Sequence, residues 1–197
     1  MLKLLIQSVR QTLVWTAIAG VAYPLLITAV GQVAFRDRAN GSLIEQDGKL
    51  VGSQWLAQPF VGTNYFWPRP SACAYGTSAT GLNPSSGSNL GPTSGQLQTN
   101  VANNASAFRS ANNLGTNDPV PADMVYASAS GLDPHISPEA ALLQVGRVAA
   151  ARGRKPEDVK ALVEKFTEPP QWGFLGEARV NVLLLNLALD GAKSSTP

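Results

Sequence analysis

A chain of 197 residues with 44% hydrophobic side chains is long enough for one ordinary domain with a further segment attached, and too short for a multidomain enzyme. Its 15 Lys and Arg against 13 Asp and Glu leave a formal charge of +2, which gives no electrostatic footprint for nucleic acid. One cysteine, Cys73, excludes an intrachain disulfide and a thiolate zinc site, and one histidine, His135, excludes multi-histidine metal sites. Cys73 therefore reads as a small buried hydrophobe, and no metal or tightly bound cofactor is expected.

The first element is a membrane span. No charge lies between Arg10 and Arg36, and a helix over residues 11–35 at about 1.5 Å per residue covers the roughly 30 Å of bilayer hydrocarbon. A cleavable signal would carry a shorter apolar region, and Ala17-Ile18-Ala19 comes too early for a cleavage site. Residues 1–10 read as a short cytoplasmic segment. Within the span, Thr16, Gly20, Pro24, Thr28 and Gly31 follow one another at spacings of four, four, four and three, which gathers small side chains on one face. Such faces let transmembrane helices approach closely, so a partner helix in the bilayer is expected. Lys3 and Arg10 precede the span while Arg36 and Arg38 follow it, so charge alone does not orient it.

Residues 36–190 are expected to form one small mixed α+β domain, with 191–197 as a tail. Asp47-Gly48 between Leu43–Gln46 and Lys49–Val51 is a type I′ hairpin signature. From Leu50 to Phe108 the only charged residue is Arg69, and Ser, Thr, Asn and Gly crowd residues 71–104, which is loop chemistry. The aromatics Trp55, Phe60, Tyr65, Phe66, Trp67 and Tyr75 make these ordered loops packed on a core. Leu97, Val101, Ala105 and Phe108 predict a helix over 96–112, and Met124-Val125-Tyr126 predicts a strand. Ser137 as N-cap, Pro138 at the first helical position and Gly153 as terminator bound a helix carrying Leu142, Val145 and Val148. A second helix starts at Pro156 and stops before Pro169-Pro170. The run 180–189 is apolar enough to be buried as helix or strand, which periodicity alone does not arbitrate, and helix is the preferred reading.

No phosphate-cradling Gly-x-x-x-x-Gly-Lys loop and no Asp-Lys-Thr-Gly phosphoacceptor sequence occurs, so this chain does not carry ATP hydrolysis itself. Asp133, His135 and Ser137 offer the residue types of a nucleophilic triad and make a membrane-anchored hydrolase one alternative. Their spacing through two prolines instead favours a rigid turn before a helix. Tyr65, Phe66 and Trp67 beside Arg69 suit core packing, contact with a protein partner or stacking on sugars, which makes a glycan-binding module a further alternative.

The ordered motifs Tyr65-Phe66-Trp67-Pro68-Arg69-Pro70-Ser71-Ala72, Gly87-Ser88-Asn89-Leu90-Gly91-Pro92-Thr93, the run from Ala127 to Pro138, and Arg179-Val180-Asn181-Val182-Leu183 leading to Leu185-Asn186-Leu187-Ala188-Leu189-Asp190 strongly resemble the C subunit of Kdp-type potassium-transporting ATPases. Ser94, Tyr126 and Ala178 depart from the family's usual residues. The resemblance implies an accessory, non-catalytic subunit of a potassium uptake complex in the bacterial inner membrane, single-pass, with the large domain extracytoplasmic. Its implied partners are a channel-like potassium-binding subunit, a P-type ATPase subunit and a small single-span subunit, with membrane lipid around the helix. The family is described as a catalytic chaperone raising the ATP affinity of the hydrolytic subunit, which makes ATP a ligand through that subunit and Gln144 a candidate nucleotide contact. Tyr65, Phe66, Arg69, Asn89, Leu90, Asp133 and His135 become candidates for contact with the partners.

Overall fold

An apolar run interrupted only by Gly20, Pro24 and Gly31 closes its backbone hydrogen bonds locally, and here it is helical without a core to pack on. The computed structural model describes residues 1–46, 48–73, 75 and 85–191. The chain divides into two compact units, Met1–Leu43 and Ile44–Pro197. In the first, α1 (Leu2–Trp15), a π-helical segment (Thr16–Ala22) and α2 (Tyr23–Ala34) run on without interruption, and none of their residues is buried. This 33-residue stretch, of mean hydropathy 1.9 in its most apolar window, is long and apolar enough to cross a membrane. The helix therefore begins at Leu2, and the residues expected to form a separate N-terminal segment are its first turns. It ends where Phe35 leaves helical geometry at φ −139°, and the short α3 (Arg36–Ala39) follows. Asn40 closes α3 by donating to the Arg36 carbonyl at 2.7 Å.

The domain starts with a two-stranded sheet, β1 (Leu43–Gln46) and β2 (Lys49–Ser53). Gly48 takes the positive φ, 73°, that the hairpin signature requires, whereas Asp47 lies outside the described residues. Residue 74 and residues 76–84 of the expected loop region lie outside them too, as do 192–197 of the expected tail. The helix expected over 96–112 is α4 (Gly95–Ala111), started by the Ser94 hydroxyl accepting from the Leu97 N–H.

The strand expected at 124–126 does not form. Pro121 starts a 3₁₀ turn at Ala122–Met124, and Asn104 donates to the Val125 carbonyl at 2.9 Å, occupying the acceptor a neighbouring strand would have used. Beyond it come β3 (His135–Ile136), α5 (Pro138–Arg152), α6 (Pro156–Lys165), β4 (Thr167–Glu168), β5 (Arg179–Asn181) and α7 (Val182–Leu189). β5 is the middle strand of an antiparallel sheet, pairing Ile136 with Val180 on one side and Thr167 with Val180 on the other. The 180–189 run is thus part strand and part helix. Asn181 makes the switch, because its side chain accepts from the Leu184 N–H and caps α7.

α5 and α6 form a hairpin turned by Gly153 at φ 62°. They bury Ala140, Ala141, Val145, Val148, Ala149, Val159 and Val163 against Ile136, Val180, Val182, Leu185 and Leu189, with Phe66, Phe108 and Met124 closing the core. The polarity of α5 departs from its apolar pattern: Leu142 is exposed, while Gln144 and Arg147 are enclosed. Arg147 donates to Asn112 Oδ1 at 3.0 Å, to the carbonyls of Thr63 at 2.7 Å and Tyr65 at 2.9 Å, and to Gln144 Oε1 at 2.7 Å. Burial pulls its pKa down to about 10, so the guanidinium stays charged at neutral pH. Arg147→Ala strands several buried acceptors and is expected to lower unfolding free energy by about 3 kcal/mol. A urea titration of the chain in detergent checks this, with Arg147→Lys, which keeps the charge but loses the planar fork, falling between the two.

Candidate functional site

Residues 62–67 belong to no helix or strand, so their backbone groups need partners from elsewhere. They find them in side chains of α5 and α7. The Asn186 amide grips Phe66 at both ends, accepting from its N–H at 2.9 Å and donating to its carbonyl at 3.0 Å. Gln144 holds Trp67 in the same manner, accepting at 2.7 Å and donating at 3.4 Å, and the Arg147 guanidinium lies 4.4 Å from the centre of the Trp67 ring. The segment behaves as a strand whose ladder is built from amides of side chains.

This clamp decides which candidates face outward. Phe66, expected among the partner contacts, is fully enclosed in the core. Gln144, the candidate nucleotide contact, is fully enclosed as well, and its amide is engaged by Trp67, Arg147 and the Ala140 carbonyl. A ligand reaches Gln144 only by opening the clamp. Tyr65 sits at the segment's outer edge, donating to Asp190 at 3.0 Å under the Arg152 guanidinium, which also pairs with Asp190 at 2.7 Å. The Asp190 bond, helped by burial, raises the Tyr65 pKa. Arg147, Asn186 and the Arg152–Asp190 pair were not among the sequence candidates. The signal for the first was a Gln and an Arg three residues apart on an otherwise apolar helix face.

A second cluster brings together Arg69, Asp133 and His135. Arg69 pairs with Asp133 Oδ2 at 2.7 Å, while Asp133 Oδ1 accepts from the His135 backbone N–H at 3.0 Å and lies 3.2 Å from His135 Nδ1. Tyr75 adds a hydroxyl donor to the Arg69 carbonyl. Ser137 stands apart from this cluster: its hydroxyl donates to Asp123 at 3.1 Å and caps α5 by accepting from the Ala140 N–H at 3.1 Å. The Asp133, His135 and Ser137 side chains therefore form a turn and a cap, and no relay from His135 to Ser137. Cys73, expected to be buried, is half-buried with its sulfur 3.4 Å from the Ser71 hydroxyl, whose hydrogen bond draws the thiol below its usual pKa against the effect of burial. Asn89, exposed at φ 53°, and half-buried Leu90 follow a stretch docked on residues 129–130, where a Cβ on Gly87 would stand 2.8 Å from the Ala129 carbonyl oxygen. Among the described residues no group of three or more His, Cys, Asp or Glu side chains is placed to hold a metal ion.

Burial opposes ionisation of Asp133, but hydrogen bonds from His135 and from Arg69 outweigh it and hold the carboxyl down at about 2. A carboxyl depressed below its unfolded value of 3.8 stabilises the fold above about pH 4, and that contribution disappears as pH falls through about 2. Discounted for partial exposure it amounts to about 1–2 kcal/mol. Asp133→Asn is expected to remove it, so the wild type should lose more stability than the variant between pH 5 and pH 2 in urea titrations.

Comparison with known proteins bears on both units. The family described as K+-transporting ATPase, c chain (KdpC) matches residues 5–191. The Potassium-transporting ATPase KdpC subunit of Methylococcus capsulatus is 53% identical over 181 residues, covering 92% of this chain and 94% of that protein. The KdpC subunit of Koribacter versatilis is 48% identical over 193 residues, at 98% and 97% coverage. That of Mycobacterium bovis is 48% identical over 190 residues, at 96% and 99%.

Proposed function

This chain belongs to the KdpC family and is an accessory subunit of a potassium-transporting ATPase complex, and we propose that it acts within that complex as a rigid, membrane-anchored clamp that raises the ATP affinity of the hydrolytic subunit through protein contacts. The observation that carries this reading is the family match across both the apolar helix and the domain. The clamp on residues 62–67 supports the mode of action, because a surface fixed by buried polar groups binds with a smaller ordering cost. The enclosure of Gln144 favours an effect passed through the Tyr65–Trp67 segment over direct contact with nucleotide. In this reading the complex lies in the bacterial inner membrane, the domain is extracytoplasmic, and the chain supplies no catalytic group. Its partners are the channel-like subunit, the P-type ATPase subunit and a small single-span subunit. The outward edge of the clamp at Tyr65, together with the Arg69–Asp133–His135 cluster and the Asn89–Leu90 loop, supplies the contact surface.

Reconstituted complex with and without this chain tests the proposal. Adding the chain should lower the KM for ATP of potassium-stimulated hydrolysis by about tenfold, a common size for coupling between sites. An unchanged KM in a fully assembled complex would overturn it.

The small face of the helix is the proposed contact within the bilayer. A Cβ on Gly20 would meet only Thr16 Cγ2, at an ordinary 3.7 Å, so Gly20→Leu fits its own helix and any loss comes from a neighbour. The expected outcome is normal membrane insertion with reduced recovery of partner subunits after detergent extraction. The conservative Leu25→Ile is the control, and equal recovery for both variants would remove the helix-packing role.

A further inference from the structure

Between Glu168 and Glu177 the sequence Pro-Pro-Gln-Trp-Gly-Phe-Leu-Gly carries no charge, and the fold places it at the tip of a tight hairpin. The root is the core sheet, where Glu168 is paired with Arg179 in register and by a 3.0 Å ion pair. Gln171 and Leu175 exchange two 2.9 Å backbone bonds, and the Phe174 N–H closes the turn on the Gln171 carbonyl at 3.3 Å. Trp172 and Gly173 both have positive φ, 53° and 82°, the pattern of a type I′ turn. That turn favours Asn followed by Gly. A tryptophan in the first position is a strained choice, since its Cβ crowds the backbone there.

Among the described residues nothing encloses the tip to compensate for this. Trp172 is 84% exposed, Phe174 73% and Leu175 45%, with the two rings 6.5 Å apart. Beside them lies an open hollow of about 260 Å³ lined by Pro169, Gln171, Leu175, Gly176, Glu177 and Arg179. Strain and exposure both work against the isolated fold, so the tip answers to something outside it.

We propose that the Trp172–Phe174–Leu175 tip and its hollow form a docking knob for the extramembrane face of another subunit of the complex, one that presents an apolar recess with a basic rim. The inference rests on the reading of this chain as a complex subunit and names a contact that reading does not contain. Exposed aromatic rings suit a lipid interface as well, but a lipid surface offers no side chain to the hollow beside this tip, whereas a protein recess receives the rings and fills the hollow in return. Aromatic anchors seated in a recess are the usual energetic centres of protein interfaces. The tip has no charge to offer the centre of that recess, and exposed Glu177 calls for a cation at its rim.

Trp172→Asn in the full chain, co-expressed with the other subunits, tests this, because Asn is the residue the turn prefers. The variant should keep or raise the Tm of the purified chain while its affinity for the partner subunits falls by about tenfold or more; Glu177→Lys should weaken the same contact. A photoreactive phenylalanine analogue at position 172 should cross-link to a partner subunit. Undiminished assembly of Trp172→Asn, a lowered Tm, or cross-links to lipid alone would each overturn the knob while leaving the subunit reading intact. Failure of the wild-type chain to co-purify with the other subunits would overturn both.

Discussion

A guanidinium enclosed by protein has to be solvated by that protein, and Arg147 meets this demand, among the described residues, with carbonyls and amides and without a carboxylate. A carboxylate would neutralise the charge but bring a second ion to desolvate. Backbone carbonyls supply the same negative ends at no such cost, provided the chain is bent so that several converge. The path of residues 62–65 is that bend. Once Thr63 and Tyr65 point their carbonyls at Arg147, Phe66 falls into the core and Trp67 lies over the guanidinium, while Tyr65 turns outward to Asp190. One buried cation thereby determines what the domain shows on this side.

The near absence of charge from Leu50 to Phe108 makes sense in the same terms. Besides Arg147 and Arg152, which hold the carbonyls of residues 63–65, loops in that stretch are held by neutral groups reaching across the fold: Asn186 on Phe66, Gln144 on Trp67 and Asn181 on the Gln54 carbonyl. Each of these side chains arrives from a residue distant in sequence, so loop conformation depends on the completed tertiary fold. Charges are concentrated where two pieces are stapled at the surface, Arg152 to Asp190 and Arg69 to Asp133. A subunit that acts by contact gains from this arrangement, because a surface already ordered loses little entropy on binding.

Features with local causes were legible in the sequence. Ser137 with Pro138 starts α5 and Gly153 ends it, since capping needs only neighbours within a turn. The apolar run before Arg36 needs no partner to be helical, though its helix reaches back to Leu2 because Lys3 and Arg10 are ordinary helix formers. Features with distant causes were not legible. Met124–Tyr126 reads as a strand until Asn104 takes its acceptor, and 180–189 reads as one element until Asn181 is recognised as a cap inside it. Phe66 suits core and contact surface alike when read in one dimension, because an aromatic beside an arginine serves either, and Gln144 became a candidate through the family resemblance, which carries no information on burial. The clamp that encloses them joins residues more than seventy positions apart.

The long N-terminal apolar helix shows a local irregularity. Four residues in an α-helix over-rotate by about 40°, so small side chains spaced by four drift around the axis rather than forming a straight seam. The π-helical segment Thr16–Ala22 has more residues per turn and under-rotates over the same step, which brings Thr16 and Gly20 back towards line with Pro24 and Thr28. The widening also falls where proline requires it. Pro24 has no N–H to give the Gly20 carbonyl, and the preceding Tyr23 N–H already reaches past the usual acceptor to Ile18. With Gly20 lacking a Cβ at this level, the same turn accommodates the proline ring and straightens the small face, so a residue that would break an α-helix here sets how the small side chains line up.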